Sequence, residues 1–380
     1  MRILMVNYEF PPIGGGAGNA NLCLLKEMAT AEGVDIDLVT SYAGKGLAVE
    51  KFADNITIYK VGIAKKNLHH WRKSEVLFWM FNAWPVYKKL VKENNYDLSH
   101  GFFAFPSGWF CWRTRKEVPY VISLRGSDVP GYNDTLGFDY FVLSNLFKKI
   151  WAGASSMVAN SNGLALLAKK FMPELDIDVI PNGVFVDEFS QLNICKKTDR
   201  TLKLLMVGRL VNRKRVDIAI EAVKLLKDMD IDVELIVAGD GVMNDQLKEL
   251  AKSLDIESSV SFSGLVTKQD IPAFYAKADI FIMCSEHEGM SNSLLEAMAS
   301  SLPIITSNCE GVLELIDGNG IVLSEMTSGT LASAIQTLVN DKEARIKMAT
   351  ISRERAEQFS WKNVALAYIE HYQKIQTRRT

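Results

Sequence analysis

No uninterrupted apolar run in this 380-residue chain approaches the ~18–20 residues needed to span a bilayer. Cysteine is sparse, and Cys23, Cys111, Cys195, Cys284 and Cys309 are scattered, with no C-x-x-C pair and no even framework. They read as free, mostly buried thiols in a reducing cytoplasm, which argues against a thiolate metal centre or a cysteine nucleophile. Net charge is nearly absent, −2 from 43 basic and 45 acidic residues. Global electrostatics therefore point neither to nucleic acid nor to a strongly acidic partner. The opening Met1-Arg-Ile-Leu-Met-Val is apolar only briefly before Asn7 and Glu9, and it reads as a strand, not a signal peptide.

What is present is the composition of a soluble globular protein, 48% hydrophobic and 23% charged. At this length two domains are expected rather than one core. Short apolar runs at 3–7, 36–40, 56–61, 98–101, 120–124, 157–160 and 179–181 read as strands. Helical patterns lie between several of them, including 20–31, 76–91 and 163–171. The alternation restarts at Leu202, with strands at 204–207, 233–238, 260–262, 280–283, 304–306 and 321–323. Helices at 216–227, 243–254 and 293–299 fall between these. Repeated βα alternation predicts an α/β protein of two doubly wound, Rossmann-like domains, 1–190 and 191–360, joined near 190–201 where the chain turns polar. Ligands of such sheets bind beyond the carboxyl ends of the strands, and a cleft between the two domains is the default site.

The residues just after each strand therefore matter most. Glu288-Gly-Met-Ser-Asn-Ser-Leu-Leu-Glu296 follows an apolar strand and runs into a helix. Such a helix start, with its N–H groups and positive dipole end, suits an anion. Two carboxylates beside it suit hydroxyls, so the stretch fits a ligand bearing both. Ser293 and Glu296 also have the S-x-x-E spacing of a capping box, a purely structural role. Gly208-Arg209 through Lys214-Arg215 places basic side chains after another strand, as a phosphate-binding group or as a solvated turn. Gly239-Asp240-Gly241 is a tight turn in which Asp240 could cap a helix. After the first strand, Gly14-Gly15-Gly16-Ala-Gly18 permits close approach of a ligand, yet it does not match the dinucleotide fingerprint. His100, Arg125 and Asp128 sit at further strand ends, as acceptor-side groups or as structural ones. Residues 60–92 interleave Lys60, Lys65, Lys66, Arg72, Lys73, Lys88, Lys89 and Lys92 with His69, His70, Trp71, Trp79, Phe81, Trp84 and Tyr87. That pattern fits either an anionic membrane surface or a helix with an aromatic core side and a wet lysine side, with Pro85 expected to interrupt it.

Taken together these pieces resemble the large retaining glycosyltransferase family 4, with its GT-B architecture of two Rossmann-like domains facing each other across a cleft. The resemblance runs over essentially the whole length. It rests on the E-x7-E pair Glu288 and Glu296, Val-Gly-Arg209-Leu with Lys214, Gly239-Asp-Gly241, Ile-Pro-Asn182-Gly183-Val, and the loop Gly15-Gly16-Ala17. The closing Phe359-Ser-Trp361 and its helix, about 361–377, resemble the family's last helix, which returns to the N-terminal domain. The resemblance implies that Glu288, Arg209 and Lys214 act on the donor's sugar and diphosphate. It implies that Gly15, Gly16, Gly239, Gly264, Leu265, Met290, Ser291, Asn292, Ser293, Leu294 and Glu296 line the donor, with Glu296 on the ribose and Gly264-Leu265 near the base. Many members end the strand at 121–124 with a histidine where this chain has Arg125, so His100, Arg125 and Asp128 are the acceptor-side candidates. Arg215 stands where a glycine usually follows the lysine.

No Asp-x-Asp motif precedes a suitable strand end, so fixed cations take the place of a metal, and no cofactor is expected beyond the nucleotide sugar as substrate. The expected activity is transfer of a sugar, with retention, from a nucleoside-diphosphate sugar, best UDP, to a glycan or lipid-linked acceptor in cell-surface polysaccharide or glycoconjugate synthesis. The expected setting is the cytoplasm, with peripheral contact at the inner membrane face. A sugar-nucleotide epimerase of similar fold and a catalytically silent sugar- or lipid-binding subunit are the alternatives.

Overall fold

The computed structural model describes residues 1–65, 67–68, 71–132, 137–189 and 201–377. Of the sequence-based expectations, Lys66, His69, His70, Cys195 and nearly all of the joining stretch 190–201 lie outside the described residues. The chain forms two compact units, Met1–Gly183 with Trp361–Thr380, and Val184–Ser360. The change of unit therefore falls at Gly183–Val184, a little before the position expected from polarity.

The first unit runs β1 (Arg2–Asn7), α1 (Gly16–Met28), β2 (Asp35–Tyr42), β3 (Leu47–Ala53), β4 (Ile56–Gly62), α2 (Lys73–Glu93), β5 (Leu98–Phe102), α3 (Ser107–Arg113), β6 (Tyr120–Leu124), α4 (Gly137–Ala152), β7 (Ser156–Ala159), α5 (Asn162–Phe171) and β8 (Ile177–Val179). The strands form one eight-stranded sheet in the order β3-β4-β2-β1-β5-β6-β7-β8. All pairings are parallel except β3 with β4, which is antiparallel. The central strands are apolar without alternation because helices cover both faces: Ile3, Leu4, Met5 and Val6 are fully buried.

The edge strand β3 and the helices α3 and α4 were not among the expected elements. β3 reads LAVEKFA and is largely exposed, so it offers no continuous apolar run. The expected break at Pro85 does not occur, and α2 runs through it for 21 residues. Trp79, Ala83, Tyr87 and Leu90 form one buried stripe that holds both halves of the helix on the sheet, while Pro85 faces outward.

The second unit runs β9 (Leu202–Val207), α6 (Val216–Asp228), β10 (Val233–Ala238), α7 (Asn244–Ser253), β11 (Val260–Phe262), α8 (Ile271–Lys277), β12 (Ile280–Met283), α9 (Asn292–Ala299), β13 (Ile304–Ser307), α10 (Val312–Leu315), β14 (Gly320–Leu323), α11 (Ser328–Asn340) and α12 (Lys342–Gln358). Its six strands pair in parallel in the order β11-β10-β9-β12-β13-β14. The strand order reverses between β9 and β12, so the loops after these two strands diverge and leave a crevice at the sheet's carboxyl edge. In the first unit the equivalent reversal lies between β1 and β5.

The last helix, α13 (Trp361–Thr377), groups with the first unit. Its Tyr368 and Tyr372 are buried, and it packs against α1. Adding a Cβ to Gly183 would bring it within 2.8 Å of the Trp361 Cα, so a glycine is needed where the two segments pass.

Candidate active site

In the second unit the loop after β9 carries Gly208 and Arg209 and then a 3-10 turn, Asn212–Lys214. This loop is locked to the one after β10. Gly208 N–H donates to the Ala238 carbonyl at 3.0 Å, Leu210 N–H to the Asp240 carbonyl at 3.0 Å, and Met243 N–H to the Leu210 carbonyl at 3.0 Å. The approach leaves no room for side chains: a Cβ on Gly239 would lie 1.8 Å from the Gly208 carbonyl oxygen. Gly264 joins Gly239 through an antiparallel bridge, and Leu265 beside it is exposed. Asp240 does not cap α7; its Oδ1 accepts from the Gly241 N–H at 2.8 Å, holding the turn itself.

This backbone lock presents Lys214 toward the loop after β12, where its ammonium forms an ion pair with the Glu288 carboxylate. Glu288 is 8% exposed. Burial alone would raise its pKa, but Lys214, then Arg213 and Ser285, hold it below the ordinary value, so it is an ionised acceptor at neutral pH. Arg213 also ties the two loops, its Nη1 donating to the His287 carbonyl at 3.1 Å and its carbonyl accepting from Glu286 N–H at 2.9 Å. Arg209 is exposed, and among the described residues its guanidinium has no ion-pair partner. A narrow cleft at these strand ends is lined by Gly208, Arg209, Lys214 and Ser285.

Arg215 takes the left-handed conformation, φ 47° and ψ 47°, which a glycine would adopt without strain. Its side chain is secured by a two-point pairing with Asp217, Nη2 to Oδ2 at 2.8 Å, and by Glu286 at 3.3 Å. These contacts hold the departure from glycine in place.

Met290, Ser291, Asn292, Ser293 and Leu294 form the entrance to α9. The cap is Ser291, whose Oγ accepts from Leu294 N–H at 3.4 Å and lies 3.0 Å from the Ser293 Oγ. Ser293 is inside the helix, so the capping-box alternative for Ser293 and Glu296 is not the one adopted. Glu296 instead meets the Tyr275 hydroxyl at 2.8 Å, and that hydroxyl also lies 3.0 Å from the Ser293 carbonyl. Burial pushes the Glu296 carboxyl up to about 7, opposed by the Tyr275 contact and Lys268 and reinforced by Glu188.

This shift has a sign that can be measured. The folded carboxyl holds its proton more tightly than the unfolded one, so its contribution to stability is complete below the ordinary carboxylate pKa and is lost as pH rises through about 7. Glu296→Gln removes that loss. In urea melts from about pH 5 to about pH 8, the variant is expected to gain on the parent by on the order of 2 kcal/mol, allowing for partial exposure. A difference between the two proteins that stays constant with pH would show that Glu296 does not titrate in this range.

The remaining candidates lie in the first unit. Gly15 precedes α1 and has open space where a Cβ would be, and Gly16 is the first residue of the helix. Glu9 Oε2 accepts from the Gly15 N–H at 3.2 Å and fixes the loop. His100 is fully buried, with Nε2 2.7 Å from the Ser123 Oγ and Nδ1 2.7 Å from the Tyr372 hydroxyl. Burial, Arg125 and His371 hold its pKa well below the ordinary value. Arg125 donates to the Asn182 Oδ1 at 3.0 Å and the Tyr368 hydroxyl at 3.0 Å, above the Phe102 ring. Asp128 is buried and accepts from the N–H groups of Ala104, Arg125 and Gly126. These three are brought together as one internal network that organises the ends of β5 and β6, not as open side chains. The sequence singles out neither Tyr275 nor Glu9 as a site residue, and Arg213 only as one of the basic residues of the 208–215 loop. A lone tyrosine in a helix reads as core, and only the fold shows which carboxylate it meets.

Two family models match adjacent parts of the chain, "Glycosyltransferase Family 4" over residues 14–188 and "Glycosyl transferases group 1" over 190–355. A glycosyltransferase of Methanocaldococcus jannaschii is 24% identical over 379 residues, covering 99% of both chains. Among solved structures, a sucrose-phosphate synthase from Thermosynechococcus elongatus superposes with a TM-score of 0.80 at 18% identity, over 99% of each chain. Anabaena HepE in complex with UDP and glucose superposes with a TM-score of 0.69 at 22% identity, over 98% of this chain and 99% of its own. The two doubly wound sheets are thus those of the GT-B fold, and with both halves matched the chain belongs to the family 4 type of glycosyltransferases.

Proposed function

We propose that this enzyme transfers a hexose from UDP-hexose, with retention of configuration, to a glycan or lipid-linked acceptor in cell-surface polysaccharide or glycoconjugate synthesis. The observation that carries the reading is the Lys214–Glu288 pair at the β9/β12 reversal, with the exposed Arg209 beside it. Departure of the nucleoside diphosphate builds negative charge on phosphate oxygens. Arg209 offers a fork and Lys214 a point charge to that oxyanion, with the α9 entrance adding backbone dipoles. Because these cations are part of the chain, the reaction needs no divalent metal. Glu288, kept ionised by Lys214, accepts from hydroxyls of the sugar and orients it. Glu296 accepts from the ribose hydroxyls, which favours its charged form, so donor binding releases a proton where the free carboxyl is half protonated, near pH 7. The Anabaena neighbour with UDP and glucose supports the choice of UDP and of a hexose.

A thermal-shift series with UDP-, GDP- and ADP-sugars tests the base. Saturating UDP-glucose at about 100 times its Kd should stabilise the protein by about 2.7 kcal/mol. A larger shift with a GDP- or ADP-sugar would replace UDP in this reading, and no shift with any of them would remove the donor site. Efficient epimerisation of a labelled UDP-sugar without acceptor would replace the transferase with an epimerase.

A further inference from the structure

The outward sides of α2 and α4 carry large apolar side chains that the fold leaves uncovered. On α2 these are Leu77, Phe78 and Phe81, and on α4 Phe138, Phe141 and Val142. Phe81, Phe138 and Phe141 are 80%, 77% and 81% exposed, far more than a stable solvent face needs. The two helices start together, with Lys73 in the first turn of α2 pairing with Asp139 in the first turn of α4 at 2.7 Å. As crossover helices of a parallel sheet they lie on one side of it. α3 and the residues just before it fill the space between them, with Trp84 5.2 Å from Trp109 and Phe105 5.5 Å from Phe147. The six apolar residues therefore lie on two neighbouring helices of one unit. Further along the same exposed sides come Lys88 and Lys89 on α2, Lys89 in a loose 3.9 Å pair with the exposed Glu93, and Lys148 and Lys149 on α4.

This corrects the composition of the basic and aromatic stretch at 60–92. Lys60 pairs with Glu50, and Lys65 is buried against Glu75 and 4.3 Å from the Trp71 ring. Trp79 and Tyr87 are core. Of that stretch, Phe81, Lys88 and Lys89 stay available to a partner, and the other half of the exposed face comes from α4.

We infer that this two-helix face seats the protein on an anionic lipid surface, with the aromatic residues entering the acyl boundary and the two lysine pairs meeting lipid phosphates. Charge selects this occupant. A second copy would bring lysine pairs against lysine pairs, whereas an anionic bilayer supplies both the apolar layer and the countercharge. Each side chain keeps its place in such a contact, because exposed residues on rigid helices need no rearrangement.

The full chain is expected to sediment with vesicles of phosphatidylcholine containing about one third phosphatidylglycerol, and to remain in solution with phosphatidylcholine alone. Phe81→Ser combined with Phe141→Ser should weaken binding by at least about tenfold, and Lys148→Glu combined with Lys149→Glu should abolish the preference for anionic lipid. Both variants change exposed positions and should melt with the parent. No vesicle binding by the parent, or undiminished binding by the phenylalanine variant, would overturn the inference. So would a concentration-dependent dimer lost in that variant, which would give the face to a second copy. The thermal shift with UDP-glucose, measured on the same samples, reports the donor site separately.

Discussion

Replacing Lys214 with alanine should cost the enzyme both its chemistry and part of its stability, by different routes. In the proposed transfer Lys214 is a fixed cation beside the leaving diphosphate, and its loss is expected to lower the rate by about 10²–10³, or roughly 2.7–4 kcal/mol in barrier. The same change strands the Glu288 carboxylate, which is 8% exposed and loses its ion-pair partner. Breaking such a pair from one side costs about 3 kcal/mol where the site is not fully closed to water. The double variant Lys214→Ala, Glu288→Gln separates the two effects. Stability should return, because no buried charge remains, while transfer stays low. Recovery of transfer in the double variant would mean that Lys214 serves only to neutralise Glu288. Arg209→Ala provides the converse case: an exposed side chain whose loss should slow transfer and leave the melting temperature unchanged.

Gly239→Ala should be the most damaging single methyl in the second unit. Its φ of 151° is one that side-chain-bearing residues rarely adopt, and the new Cβ would be placed 1.8 Å from the Gly208 carbonyl oxygen. The atom in the way is backbone, held by Gly208 N–H donating to Ala238, so it cannot swing aside as a side chain would. Strain and overlap together predict a loss of about 3 kcal/mol or more, seen as a lowered urea midpoint. Gly264→Ala is the control. Its φ is 67°, but no atom lies within 4 Å of the added Cβ, so about 1 kcal/mol is expected. Equal effects at the two positions would show that the loops after β9 and β10 are not locked as described.

The parallel sheets, their order of elements and the strand-end loops could be read from the chain because buried parallel strands are short continuous apolar runs and the helices between them are amphipathic. β3 escaped because an edge strand with Glu50 and Lys51 facing water shows no such run. α3 was hidden inside an aromatic stretch that looks like a loop between strands. Lys214 and Glu288 could each be singled out, yet not their pairing, since 74 residues separate them and only the adjacency of β9 and β12 joins them. The identity of Glu296's neighbour is decided by where α8 lies, which no local spacing contains. His100, Arg125 and Asp128 were visible as polar groups at strand ends, but whether such groups face outward or bond to one another depends on α13, whose Tyr368 and Tyr372 complete their network.

That dependence on α13 has a consequence for how the polypeptide comes into being. The second unit, Val184–Ser360, is contiguous and has all its residues before α13 is made, whereas the first unit brackets it in the sequence. On the ribosome, the segment synthesised first must therefore wait with the α13 contact surface on α1 uncovered, and with His100 and Arg125 lacking their tyrosine partners, until the final helix emerges. A nascent chain stopped at Ser360 would hold every residue of one unit and an unfinished version of the other.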